Sequence, residues 1–229
     1  MYRIDRAEAL RYLGYRGQAI EPQLDALIDD CIEECMQTAR PRSIWRKFEM
    51  SFPEGEADVT LPAAGFALPG RDIRAHLSGC GACYLLAATL GVEIDAAIRR
   101  YEAGDLTRSL ILDACATCLI ESVCDEAETA IRSQAAKAGK GLTSRYSPGY
   151  GDLTIEIQPR FTALLDTPRR IGLYCSGSYI LMPRKSVTAV LGLRDEPAGR
   201  TEERRGCGRR CVDCRLKDCL YRKEDAPCA

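Results

Sequence analysis

Two stretches of the chain hold side chains that could do chemistry. One is CGRRCVDCRLKDC, where Cys207, Cys211, Cys214 and Cys219 are separated by three, two and four residues, with eight more before Cys228. Four thiolates suit tetrahedral zinc or an iron–sulfur cluster. The C-x2-C step lets two thiolates grip one metal, and Arg209, Arg210, Arg215 and Lys217 around it favour the thiolate form. A zinc ribbon would show two separated C-x2-C knuckles, and here there is one. The spacing therefore admits an iron–sulfur cluster, zinc, or free redox-active thiols. Leu216 and Leu220 are almost all this segment has to bury, too little to offset its ordering entropy without a cross-link or metal.

The other stretch is RYSPGYGDL, residues 145–153. Arg145 offers a planar fork of five donors that suits a carboxylate. Ser147 and Pro148-Gly149 make a turn in which the glycine backbone can approach a ligand closely. Tyr150 adds a flat face and a hydroxyl, suited to a ring or a sulfonium cation. The plainer alternative is a surface turn with Arg145 paired to Asp152.

Other cysteines are simpler. Cys31 and Cys35, and Cys115, Cys118 and Cys124, fall on apolar helix stripes and read as core. Cys80-Gly-Ala-Cys83 could be redox-active or ligate a metal. His76 is the only histidine, so no histidine-built metal site is available. The chain lacks G-x-S-x-G, H-E-x-x-H, a Walker loop and a G-x-G-x-x-G after a strand, which argues against hydrolysis and nucleotide-loop chemistry.

The elements that must position these residues follow from periodicity and punctuation. Helices are expected over 5–13, capped by Asp5, over 22–38, 71–77 and 93–101, over 106–137 with Leu110 and Ile111 on its stripe, and over 158–165. Strands are expected over 43–52, at 59–61, over the apolar run 84–90, over 170–175 and over 186–193. This order lacks a regular βαβ rhythm, so an α+β fold is expected, a twisted, largely antiparallel sheet flanked by helices. Residues 1–194 form that domain, 195–206 a charged linker, and 207–229 a Cys-rich metal-binding tail. Net charge of −1 in 229 residues gives no field for nucleic acid or anionic membrane. No apolar run approaches a membrane span and no targeting segment is evident, so a cytoplasmic location is expected. Thirteen cysteines without a secretory signal are thiols or metal ligands.

Arg145-Tyr146-Ser147-Pro148-Gly149-Tyr150 resembles the R-P-A-P-G-Y signature of the activation (reactivation) domain family of cobalamin-dependent methionine synthase. LRYLGYRGQ at 10–18, LAATLGVEID at 86–95, LDAC at 112–115 and SYILMPRKSVTAVLGL at 178–193 are similar to its stand-alone members, as is the tail Cys211, Cys214, Cys219, Tyr221, Arg222. The resemblance implies an S-adenosylmethionine-binding partner that supports reductive remethylation of cob(II)alamin on a separate methionine synthase or other corrinoid methyltransferase. It implies Arg145 on the methionine carboxylate, Gly149 giving backbone groups, Tyr150 packing on the ligand, cobalamin held by the partner, and an electron donor protein. The chain would not turn over alone. The family's tyrosine–phenylalanine pair is replaced by Leu191-Gly192, its ligand-contacting N-terminal aspartate finds no match, and Glu121 and Glu126 are the candidates for its acidic contact. Two other readings stand beside it: an iron–sulfur activator of a corrinoid protein that no longer binds S-adenosylmethionine, and a structural subunit with a zinc-held tail.

Overall fold

The computed structural model describes residues 2–195; the proposed ligands Cys207, Cys211, Cys214 and Cys219, with the rest of the tail and all of the linker beyond Asp195, lie outside the described residues. In chain order the elements are α1 Arg6–Tyr12, α2 Pro22–Thr38, β1 Arg42–Glu49, β2 Val59–Leu61, β3 Phe66–Leu68, α3 Arg71–His76, β4 Cys80–Thr89, α4 Val92–Glu102, α5 Leu106–Lys137, β5 Gly141–Leu142, α6 Gln158–Leu165, α7 Thr167–Ile171, β6 Tyr174–Cys175, β7 Leu181–Met182 and β8 Ser186–Arg194. The helix ends follow local chemistry. Asp5 caps α1 by accepting from Ala7 N at 2.9 Å, Pro22 opens α2, and Asp105 caps α5 by accepting from Arg108 N at 2.9 Å.

The main sheet has the order β1-β4-β8-β5, and every pairing in it is antiparallel. Its centre is β4, apolar and buried along nearly its whole length because both of its faces are covered. The period of two sorts its side chains. Ala82, Tyr84 and Leu86 join Leu191 and Leu193 of β8 against Ala127, Ile131 and Ala135 of α5. Cys83, Leu85 and Ala87 join Val190 on the other face, against β2, β3, α3, α6 and α7. A third group unites α2, α4 and α5 with Ala88 and Leu90. The fold is the expected α+β arrangement, with helices on both faces of an antiparallel sheet.

Three expectations are corrected. Residues 170–175 are not one strand. Pro168 sits in the first turn of α7, which runs to Ile171 and ends at left-handed Gly172 (φ 71°), leaving only Tyr174–Cys175 extended. Leu110 is 57% exposed, because the buried face of α5 runs through Ile111, Leu112, Cys115 and Leu119 instead. Cys80 does not precede the strand but begins it, at a register shift between Cys80 and Ala82.

Candidate functional site

The segment after α5 turns back along that helix. Tyr146 pairs with Val190 of β8 through both backbone bonds, at 2.9 and 2.8 Å, which extends the sheet and aims the flanking residues in opposite directions. Tyr146 thereby stacks toward His76, with ring centroids 5.1 Å apart. Arg145 points to α5. There its guanidinium lies among Glu121 (3.1 Å), Asp125 (2.8 Å) and Glu128 (3.6 Å). Those acids stand four and three residues apart, on one helix face. The arginine side chain is only 18% exposed. Burial works against its charge, but Cys124 and the three carboxylates outweigh burial and hold the guanidinium pKa above its ordinary value.

The turn itself is closed by its own backbone. Gly149 N donates to Leu153 O at 2.7 Å, and Tyr150 N to Ser147 O at 3.2 Å. Gly149 has φ 95°, and a Cβ there would stand 3.1 Å from the Ile155 methyl, so the position demands glycine on conformation and space alike. Asp152 is not the partner of Arg145. Its carboxylate accepts from Arg71 N (2.6 Å) and Asp72 N (3.1 Å), pinning the far end of the turn to the start of α3.

Between this turn, α5 and the N-terminal residues lies a groove of about 480 Å³. Arg145 and Tyr150 line it; Ser147 and Gly149 do not, and instead shape the turn that presents Tyr150, which is 62% exposed. Of the two acidic candidates, Glu121 lines the groove and Glu126 does not. Sequence reasoning missed Asp5, Glu8, Arg11, Tyr12, Asp125 and Glu128, which also line it. Asp5 was legible only as a helix cap. The one signal for the α5 acids was their shared face. Five carboxylates against three arginines leave a surplus of two negative charges around the groove. Tyr12 lies under Arg11, 4.6 Å from ring centroid to guanidinium carbon, and burial, then the Glu121 charge, push its phenol up to about 12. Cys118 also lines the groove, but burial pushes its thiol up to about 12, so it is a poor nucleophile at neutral pH.

Leu191 and Gly192 lie away from the groove lining. Leu191 packs in the core against α5. Gly192 is pressed by Cys80, Leu77 and Thr143, where a Cβ would meet Cys80 Sγ at 2.6 Å. Cys83 is fully buried, and burial, then the nearby Cys80, raise its thiol to about 12. Among the described residues, no group of three or more His, Cys, Asp or Glu side chains is arranged to hold a metal ion. No described helix is long and apolar enough to cross a membrane.

The chain matches no protein-family model and no curated protein. Its fold is that of a reactivation domain. The likeness is to the crystal structure of the MetH reactivation domain bound to AdoHcy, with a TM-score of 0.62 and 15% sequence identity, covering 82% of this chain and 73% of that one. At that identity the likeness establishes the fold.

Proposed function

We propose that this chain binds S-adenosylmethionine and supports reductive remethylation of cob(II)alamin on a separate methionine synthase or related corrinoid methyltransferase. The observation that carries the reading is the acid-rich groove under RYSPGYG, in a fold similar to a domain solved with the demethylated form of that ligand. The groove's volume lies in the range of small-molecule sites. Its negative surplus complements a molecule with a sulfonium and an ammonium against one carboxylate. When bound, that ligand supplies the methyl group.

The chain's own residues bind and orient. Tyr150 and Tyr12 offer aromatic faces to the ring or the sulfonium. Asp5 and Glu121 face the cationic end. Arg145 takes the ligand carboxylate by exchanging it for Asp125, the most exposed of its three partners at 70%. Ser147 and Gly149 act through the shape of the turn. Catalysis is positioning, since methyl donor and reduced cobalt must meet in line. The cobalamin belongs to the partner, and the electron comes from a donor protein or from a cluster on Cys207, Cys211, Cys214 and Cys219.

The test is calorimetric titration of S-adenosylmethionine into oxygen-free protein, with Arg145→Ala alongside. Saturable binding lost in the variant supports the reading. A protein that binds no S-adenosylmethionine, alone or with a corrinoid partner present, overturns it. The cysteine spacing favours a second role as an iron–sulfur carrier. Iron content and visible absorbance after oxygen-free purification test it, and a colourless, iron-free protein ends it.

A further inference from the structure

Residues 204–223 hold eight Lys and Arg against two Asp, a net charge of +6 in a chain whose total is −1, so all other residues together carry −7. Where the chain sets out towards that segment is fixed. Arg194 ends β8, and Lys140 holds Asp195 at 2.9 Å. Arg194 shares a small cleft with Glu128 and Ser144, and those two also line the acidic groove. The chain therefore leaves the domain at the Glu128 end of the groove.

Reach and charge both favour a return onto it. Eight residues separate Asp195 from Arg204, and nine chain steps span at most about 30 Å. Glu121, Asp125 and Glu128 are spread over only about 10 Å of α5. A tether this short raises the local concentration of the basic segment to about the millimolar range. Of the groove walls, Asp125 is 70% exposed, and Asp5 is exposed on the opposite side. Tyr150, also exposed, offers its ring face to a guanidinium. The α2 acids Asp29 and Asp30 are as exposed as Asp125, so exposure does not decide. Position does. Asp30 pairs with Arg108, which stands about 30 Å along α5 from Glu128.

We infer that the basic segment 204–223 of this same chain docks on the acidic groove, with its arginines and lysines on Asp125, Glu121 and Asp5. Docking brings Cys207, Cys211, Cys214 and Cys219 to the groove mouth. The inference stands on the tether and the charges, and not on the methyl-donor reading.

The test is zero-length carbodiimide coupling in the full chain, purified without oxygen and with no ligand added, followed by peptide mapping. Lys217 and Lys223 are the amines of the basic segment. Lys185, 2.9 Å from Asp113 and only 16% exposed, gives the internal standard. The expected result is coupling of Lys217 or Lys223 to Asp125, Glu121 or Asp5. At 0.5 M sodium chloride its yield should fall severalfold against the standard, because exposed pairs are screened. Coupling to no groove acid, or in no greater yield than to Asp29, Asp30 and Glu33, overturns the inference. Equal amounts of nitrogen-15-labelled and unlabelled chain are then mixed before coupling. Products of a single isotope support docking within one chain, and mixed products overturn it. Since no ligand is present, failure here leaves the methyl-donor reading standing, and the titration above tests that reading separately.

Discussion

Replacing Arg145 with Met keeps most of the side-chain stem but removes the cation that three carboxylates share. Glu121 and Asp125 are 48% and 70% exposed, so each pair is worth no more than the ~0.2–1 kcal/mol of a surface ion pair. Glu128 is more buried and keeps Arg132 as a second partner at 2.9 Å, which limits its loss to about 1 kcal/mol. Removing the cation also exposes like-charge repulsion at i,i+4 and i,i+3 along α5, about 0.2–0.5 kcal/mol per pair. The expected destabilisation is about 2 kcal/mol, seen in urea unfolding as a midpoint shift of roughly 1 M at an m-value near 2 kcal/mol per M. Salt identifies the cause. At 0.5 M sodium chloride the loss should shrink by about half, since the exposed members are screened. Neutralising the helix with Glu121→Gln and Asp125→Asn in the Arg145→Met background should recover part of it. A variant as stable as the parent, or a loss indifferent to salt and to the rescue, refutes this account of Arg145.

Other outcomes follow from the packing. Gly192→Ala should cost about 1–3 kcal/mol in thermal or urea unfolding, because its Cβ has no room beside Cys80, Leu77 and Thr143. Gly192→Phe, the aromatic of the resembled family, should prevent folding rather than rebuild a ligand contact. With a thiol reagent at pH 7.5 and peptide mapping, Cys175 should label first among the described cysteines, and Cys31, Cys35, Cys83, Cys115, Cys118 and Cys124 only on unfolding. Stability should fall with alkaline pH. Burial raises those six thiols above the ordinary thiol value of 9.0, to about 11 at Cys31 and about 12 at Cys83, Cys115, Cys118 and Cys124. Cys35 is raised as well. A raised folded pKa gives stability that is complete below the unfolded value and lost as pH climbs to the folded one. The loss should therefore begin near pH 9 and steepen towards 11, at up to about 1.4 kcal/mol per pH unit for each thiol. A urea midpoint unchanged between pH 8.5 and 10.5 would contradict it.

Local chemistry made most helices readable. Pro22–Thr38, Leu106–Lys137 and Gln158–Leu165 fall where apolar period and capping residues put them. The failure at 170–175 is of another kind. RIGLYC is apolar and β-compatible, but Pro168 and the left-handed Gly172 partition it between a helix turn and a two-residue strand. Cysteines on apolar stripes were legible as core. Leu191-Gly192 was not, because strand position says nothing of which neighbours press on a residue.

RYSPGYGDL declared by itself that it is a turn, since Pro, Gly and the residues around them have few conformations to choose from. Its local sequence also specifies the glycine at position 149. What the turn faces was decided only by the tertiary structure. Pairing of Tyr146 with β8 sends Arg145 onto the acidic face of α5, a contact 24 residues distant in sequence. Packing of α1 against α5 brings Asp5 to the same groove from the other end of the domain. Local sequence determines conformation through short-range sterics and hydrogen bonds. The sign of charge around a site depends on which distant faces the buried sheet forces together.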